Sequence, residues 1–407
     1  DLLNRPPTGT TPKWVLLRPL LPHVRRLTRS LERPEQRRLL LRLAELDLEQ
    51  GRPAAAIADL ERLLPEAEAE EHVDIVQNLA LAAGAAGNWR RARELAEGLL
   101  PLLADQAADS TERLQTEHIR AAALHHVGDQ KAAEKLEEVV LAQRVQQWGA
   151  AHPDSEASLQ NLSLSRLAQG ETEAALTALR ALNESAEREL GPEHPETLLR
   201  LHNLALALHE AGETPEALER AQQAREGRGV ALGADHPLTL SSLHNVACFK
   251  AALGDFSGAI QDYRDCLQQS EERLGPEHPQ SLGTAQNLAA TLQAQGDRTA
   301  ARLLFENVLE IRTRVVGAEH PDRLMTLQNL GVLWLELGRP EEALPRLEEA
   351  LRLRVQLQGA EHPDSLMTRQ NLGSCWLQLG KPDIAKTFIE ESFHGYQRLY
   401  GPQHPLS

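Results

Sequence analysis

The sequence predicts an all-α protein built as a solenoid of stacked helical hairpins, and three regularities support this prediction. The phrase Gly-x-x-His-Pro occurs seven times, with its histidines 42 residues apart. Nine residues after each of the first six histidines comes an asparagine, and nine residues later comes a glycine. A fixed period of this size is typical of solenoids, in which each repeat buries its apolar face only against its neighbours. The seven histidines are His152, His194, His236, His278, His320, His362 and His404.

The segment 321–359 indicates how one repeat folds. Leu324 and Leu327 follow helical spacing, and Gly338 is placed to end that helix. Pro340 is placed to begin a second helix. The next His-Pro phrase opens the following repeat, so each repeat is predicted to be two antiparallel helices joined by a tight turn.

An alanine stands five residues after each turn glycine, and this recurrence supports the proposed alignment of the repeats. The glycine–alanine pair also occurs upstream of the regular part, so the sequence contains nine repeats. A small residue at this position lets the second helix approach the first closely. Larger apolar residues follow four positions later, for example Tyr263, Phe305, Leu347 and Ile389. The nine alanines are Ala56, Ala92, Ala133, Ala175, Ala217, Ala259, Ala301, Ala343 and Ala385.

The order Gly331, Trp334, Gly338, Ala343 and Leu347 resembles the tetratricopeptide repeat (TPR). This resemblance implies a right-handed superhelical solenoid of about nine helix pairs. A TPR unit usually has about 34 residues. The longer period of 42 residues, with Gly-x-x-His-Pro between units, resembles the kinesin-light-chain type of TPR.

These patterns divide the chain into four predicted segments. Residues 1–13 are expected to be a linker, and 14–36 a basic helical segment or cap. Residues 37–148 are expected to form three irregular TPR units, and 149–407 six regular units with a C-terminal cap. The phrase from Trp14 to His23 is similar to the segment that joins the nucleotide-binding part of bacterial STAND (NLR-like) ATPases to their TPR arrays. We therefore expect this chain to be a piece of a larger protein.

Composition limits the possible partners and compartments. The formal net charge is −16, which argues against general nucleic-acid binding. The acidic surface is interpreted as a solvated face or as a preference for a basic partner. With three cysteines, no C-x-x-C pair and no long apolar stretch, a cytoplasmic protein without membrane contact is expected.

The recurring histidines raise the possibility of a metal site, but one histidine per repeat leaves them roughly 10 Å apart. Zinc ligands must lie about 2.0–2.3 Å from one point, so the histidines are interpreted as helix caps. His244 and Cys248 are four residues apart and represent a remote enzymatic alternative. Cys266 and Cys375 are expected to lie in the core. Because no phosphate-binding loop or hydrolase motif occurs, neither catalysis nor a cofactor is expected.

The asparagines form the main candidate site. In TPR arrays the first helices line the concave face, so the resemblance places this asparagine column along a groove. An amide both donates and accepts hydrogen bonds, so it can bind the backbone of an extended peptide. Alternatively, each amide bonds a neighbouring helix and holds the superhelical pitch. The column consists of Asn161, Asn203, Asn245, Asn287, Asn329 and Asn371.

Residues beside the column are expected to set specificity. The residue before each asparagine is a glutamine or a histidine. Two methionines lie four residues before an asparagine and suit either an adaptable groove or core packing. The predicted partner-binding neighbours are His202, His244, Lys250, Gln286, Gln328, Gln370, Met325 and Met367.

These observations favour a protein- or peptide-binding TPR module, acting as the sensor or scaffold part of a signalling or defence protein. The competing hypothesis is a self-associating structural scaffold, whose outer surface rather than its groove makes the contacts.

Overall fold

The computed structural model describes residues 33–400, except residues 50–51, 128, 170 and 316. These residues form eighteen α-helices and no β-strand. The all-α prediction is therefore confirmed for this part of the chain. The predicted linker, the predicted basic segment up to residue 32 and His404 lie outside the described residues. The chain divides into two compact units, and the boundary in the sequence lies between Leu253 and Gly254.

The N-terminal unit contains eleven α-helices among its described residues. Short 3-10 turns, Leu64–Glu66 and Leu100–Leu103, follow the second and fourth helices within the segment predicted to be irregular. The helices are α1 (Arg33–Glu49), α2 (Pro53–Leu63), α3 (Ala69–Ala85), α4 (Trp89–Leu99), α5 (Thr111–His126), α6 (Gln130–Trp148), α7 (Pro153–Ala168), α8 (Thr172–Leu190), α9 (Pro195–Glu210), α10 (Thr214–Leu232) and α11 (Pro237–Ala252).

The C-terminal unit contains seven α-helices among its described residues. No described helix in either unit is both long and apolar enough to cross a membrane. The helices are α12 (Phe256–Leu274), α13 (Pro279–Gln295), α14 (Arg298–Val315), α15 (Pro321–Glu336), α16 (Pro340–Gln358), α17 (Pro363–Gln378) and α18 (Pro382–Tyr400).

In the six hairpins whose turn glycine lies among the described residues, that glycine has the positive φ expected at a turn. Gly296 has φ 102°, in the left-handed region that favours glycine. The N–H of Asp297 donates to the carbonyl of Leu292 at 2.9 Å and so closes the last helical turn. Gly51, Gly128 and Gly170 lie outside the described residues. The other predicted turn glycines with positive φ are Gly87, Gly212, Gly254, Gly338 and Gly380.

The recurring histidines cap the first helix of each regular hairpin. Nδ1 of His194, for example, accepts a hydrogen bond from the backbone N–H of Glu196, with 3.2 Å between the two nitrogens. This bond satisfies one of the free N–H groups at the helix start. The proline after each histidine occupies the first helical position. The same cap occurs at His152, His236, His278, His320 and His362. The capping interpretation is therefore confirmed for these six histidines. Within the described residues, no three potential metal ligands cluster.

Small residues allow the two helices of a hairpin to pack closely. None of the nine predicted alanines is more than 1% exposed. A Cβ atom at Gly331 would lie 2.7 Å from Leu347 Cδ2, so the first helix needs glycine where it meets the second. Cys266 and Cys375 are fully buried, as predicted.

Neighbouring hairpins share buried apolar clusters. In the N-terminal unit, Leu179, Leu208, Ala221 and Phe249 belong to a single buried cluster, although they lie on four different helices. Because each hairpin is completed by the next one, the core extends along the chain instead of closing into one centre.

Candidate functional site

In the C-terminal unit, the asparagine column is accessible. Helix α13 packs against α15, and α15 packs against α17. Asn287, Asn329 and Asn371 lie on these three helices and are partly exposed. The side chains of Asn329 and Asn371 form no hydrogen bond with another described residue. Their amides can therefore bond an external group without breaking an internal contact.

The two methionines lie at the surface one helical turn before these asparagines. Met325 is 39% exposed and Met367 is 41% exposed, so neither side chain belongs to the core. We call the surface formed by Met325, Asn329, Met367 and Asn371 the C-terminal face. It combines amides, which donate and accept hydrogen bonds, with flexible thioethers, which adapt to irregular apolar shapes.

In the N-terminal unit, the column takes part in contacts between hairpins. Asn161 Nδ2 lies 3.5 Å from His118 Nε2 on the preceding first helix. Asn245 Nδ2 lies 3.4 Å from His202 Nε2 in the same manner. Asn203 is only 8% exposed. These contacts agree with the alternative in which the amides hold neighbouring hairpins together.

The glutamines before the column lie mainly in the interior. Gln286 is 4% exposed, and its Oε1 accepts a hydrogen bond from Arg312 Nη1. The same Nη1 donates to the carbonyl of Asp322 at 2.8 Å and to Thr326 Oγ1 at 2.6 Å. Arg312 on α14 thus joins two consecutive first helices, α13 and α15. Gln286 is therefore placed to hold this arginine rather than to face a groove.

This arrangement recurs at other repeats. Arg354 bonds Gln328, the carbonyl of Asp364 and Thr368. Arg144 and Arg228 make the corresponding bonds to a backbone carbonyl and a serine in the N-terminal unit. All four arginines are at most 4% exposed. The sequence analysis missed this set, although arginine at positions separated by 42 or 84 residues was a visible signal.

His202 replaces the glutamine at the repeat that contains Arg228. His202 Nδ1 lies 3.2 Å from Ser242 Oγ, which also accepts from Arg228 Nη1 at 2.8 Å. A neutral ring can donate from Nδ1 to Ser242 and accept from Asn245 at Nε2. Burial, together with the nearby Arg228 and His244, holds the pKa of His202 well below its usual range. Burial also lowers the pKa of Arg228 to about 10.

The remaining predicted site residues occupy different surroundings. Gln370 is exposed, and Tyr396 stands 26 residues later, where Gln286 and Gln328 have Arg312 and Arg354. Lys250 is half-buried.

His244 and Cys248 both lie on α11, and burial lowers the pKa of His244 to about 4. A histidine with this pKa is a weak base at neutral pH, which gives the enzymatic alternative no support.

The chain matches the family model described as tetratricopeptide repeat at residues 154–229, 239–306, 281–354 and 332–398. Together these ranges span more than half of the chain. No curated protein matches the chain in sequence.

Solved structures of similar proteins include the nearly identical TPR-like repeats of a kinesin light chain from Podosopora anserina. The identity is 27%, over 52% of this chain and 100% of that chain, with a TM-score of 0.45. BtubC (BKLC) from P. vanneervenii is 20% identical over 59% of this chain and 94% of that chain, with a TM-score of 0.47. The Rap protein complexed with Competence and Sporulation Factor is 12% identical over 82% and 93%, with a TM-score of 0.56. This last likeness concerns the fold alone.

Proposed function

Because this chain belongs to the tetratricopeptide repeat family, whose solenoids serve as protein-interaction scaffolds, we propose that it binds a partner polypeptide along the C-terminal face. The bound segment is extended, and its backbone hydrogen-bonds to the amides of Asn329 and Asn371. Met325 and Met367 contact its side chains. No catalytic step is assigned to this face.

The observation that carries this proposal is a difference between members of the asparagine column. Asn161 and Asn245 are engaged by histidines of the preceding helix, whereas Asn329 and Asn371 form no hydrogen bond within the described residues. Asparagine is neutral to unfavourable in the middle of a helix. Partly exposed amides in register, with no internal partner, are therefore better explained by an external polar ligand than by helix stability.

We expect the double variant N329A/N371A to bind selected peptides at least about tenfold more weakly than the wild-type chain. Losing two or more hydrogen bonds of about 1 kcal/mol each accounts for this change. Peptides are first selected on the immobilised chain from a random display library, and isothermal titration calorimetry then measures their dissociation constants.

The matched control is N245A, which changes the same column in the N-terminal unit and should leave these dissociation constants unchanged. Circular dichroism checks that both variants keep their helix content. Equal affinity of the wild-type chain and N329A/N371A for every selected peptide would refute the proposal, as would the absence of any enriched peptide.

A second candidate function, self-association, is supported by exposed apolar side chains on α18. Ile389 occupies the bulky apolar position that is at most 1% exposed in Leu60, Tyr263, Phe305 and Leu347, but Ile389 is 38% exposed. Phe393, one turn further along, is 42% exposed. An apolar helix face of this kind is typical of a contact with another helix.

If self-association uses this face, light scattering will show a mass that rises with concentration for the wild-type chain. The variant F393E is expected to stay monomeric, because a carboxylate in the contact would lose its hydration. A monomer mass for the wild-type chain at every concentration would exclude this second function.

The sensor or scaffold role within a larger signalling or defence protein also belongs to the proposal. It is supported by the modular character of TPR solenoids, which bind partners without carrying chemistry themselves.

A further inference from the structure

Glu137 is a charged residue at a position that is otherwise apolar. It stands four residues after Ala133, where the other eight repeats have Leu60, Ala96, Leu179, Ala221, Tyr263, Phe305, Leu347 and Ile389. Its side chain is only 1% exposed. Because a buried carboxylate loses its hydration, it requires compensation from the groups around it.

Only part of this compensation is present. Glu137 Oε1 lies 2.7 Å from His118 Nδ1. Glu137 Oε2 is buried and has no hydrogen-bond partner among the described residues. Arg144 lies two helical turns further along α6 and interacts electrostatically with Glu137, but its Nη atoms donate to Asp154, Ser158 and Gln115 instead.

Glu137 lines a small cavity between α5, α6 and α7. Asn161 of the asparagine column and Ser165 on α7 also line it, as does His126, whose exposure places the rim at the surface. Its volume is about 30 Å³. A single water needs roughly 10–15 Å³ of such a volume, so the cavity holds a head group about as large as two or three waters.

The polar groups of the cavity favour a cation with several donors. Burial lowers the pKa of His125, and burial with the neighbouring His125 lowers the pKa of His126 to about 4. Both rings are therefore neutral at physiological pH, and the carboxylate of Glu137 is the charge on the cavity wall. Asn161 and Ser165 add side-chain oxygens that can accept hydrogen bonds.

We infer that this cavity receives a primary ammonium group, which donates to the buried Oε2 of Glu137 and to the oxygens of Asn161 and Ser165. A primary ammonium is a compact charge with three donors and fits these acceptors. Two sources share this chemistry, a lysine side chain and the N-terminal amine of a polypeptide. The inference rests on the proposed polypeptide-binding function, and it adds a charged contact in the N-terminal unit.

Small ammonium salts test the cavity without any peptide. The probes are n-butylammonium, which resembles a lysine side chain, and glycinamide, which resembles a peptide N-terminus. Tetramethylammonium is the control, because it has the same charge but no N–H donor. NMR titrations follow the side-chain amide of Asn161 and the ring of His118.

We expect saturable shifts with at least one primary ammonium probe, and binding about tenfold weaker in Glu137→Gln, which removes a charge-assisted hydrogen bond. Binding of n-butylammonium alone would assign the site to lysine, and binding of glycinamide alone to an N-terminus. Glu137→Leu introduces the residue found at Leu179 and should abolish binding. If Glu137→Leu does not fold, the nearly isosteric Glu137→Gln carries the test.

Three results would overturn the inference. The first is no shift with either primary ammonium, which would leave water as the occupant. The second is equal binding of tetramethylammonium. The third is equal binding by Glu137→Gln. The test is separate from that of the C-terminal face, since ammonium binding does not depend on Asn329 or Asn371.

Discussion

Replacing Arg312 by alanine is expected to destabilise the C-terminal unit by about 3–5 kcal/mol. The substitution removes the donor shared by Gln286, Thr326 and the carbonyl of Asp322. Each of these groups is buried or partly buried. Thr326 Oγ1 remains within 2.9 Å of Gln286 Oε1 and of the Asp322 carbonyl, so the loss is that of hydrogen bonds to a charged donor, which contribute about 1.5–3 kcal/mol each. The space left by the guanidinium adds a cavity cost, because the surrounding helices relax only partly.

Hydrogen exchange of α13, α14 and α15 measures this effect. It reports each hairpin separately, which suits a repeat protein whose unfolding need not be two-state. The matched control is Arg314→Ala on the same helix. Arg314 is 68% exposed and pairs with Glu277 at the surface, so its loss is expected to cost less than about 1 kcal/mol. Equal protection of α14 in both variants would contradict the proposed role of Arg312.

The stability of the N-terminal unit is expected to fall as the pH drops below about 6.5. Burial lowers the folded-state pKa of His244 to about 4, and the pKa of His202 is also held well below its usual range. Between about pH 6.5 and about pH 4, the unfolded chain therefore binds more protons than the folded chain. The contribution of these neutral histidines to the free energy of unfolding is fully present above about pH 6.5 and is lost as the pH falls toward about 4. For His244 alone, the full shift corresponds to roughly 3 kcal/mol.

The variant H202Q/H244Q tests this pH dependence. Glutamine is the residue at the corresponding positions Gln286 and Gln328, so it is expected to fit while removing the titration. Thermal unfolding followed by circular dichroism between about pH 7 and about pH 4.5 should give a smaller fall in melting temperature for the variant. Since carboxylates titrate equally in both proteins, only the difference between the two profiles is interpreted. Identical profiles would exclude these histidines as the cause.

The interior glutamines illustrate where the sequence pattern stops being sufficient. Gln286 and Asn287 are adjacent, so their side chains leave the helix about 100° apart. The period predicts that both recur but does not indicate which of them faces the next hairpin. Packing decided this, since Gln286 meets Arg312 in the interior whereas Asn287 is partly exposed.

Glu137 was missed for a related reason. Its helix carries two other glutamates, the partly buried Glu134 and the exposed Glu138, and a glutamate alone gives no sign of burial. The signal was its position in a column of apolar residues, four after Ala133. Only the packed helices reveal that one of its oxygens has no partner.

The local chain geometry of this protein was determined by its sequence. Glycine at the turns, histidine and proline at the helix starts, and alanine at the contacts act through backbone conformation and side-chain size, which are properties of single residues. The tertiary structure alone decided which polar groups satisfy each other across hairpins and which do not. Hydrogen bonds such as that between Gln286 and Arg312 depend on distances between helices, and a repeat period does not specify those distances.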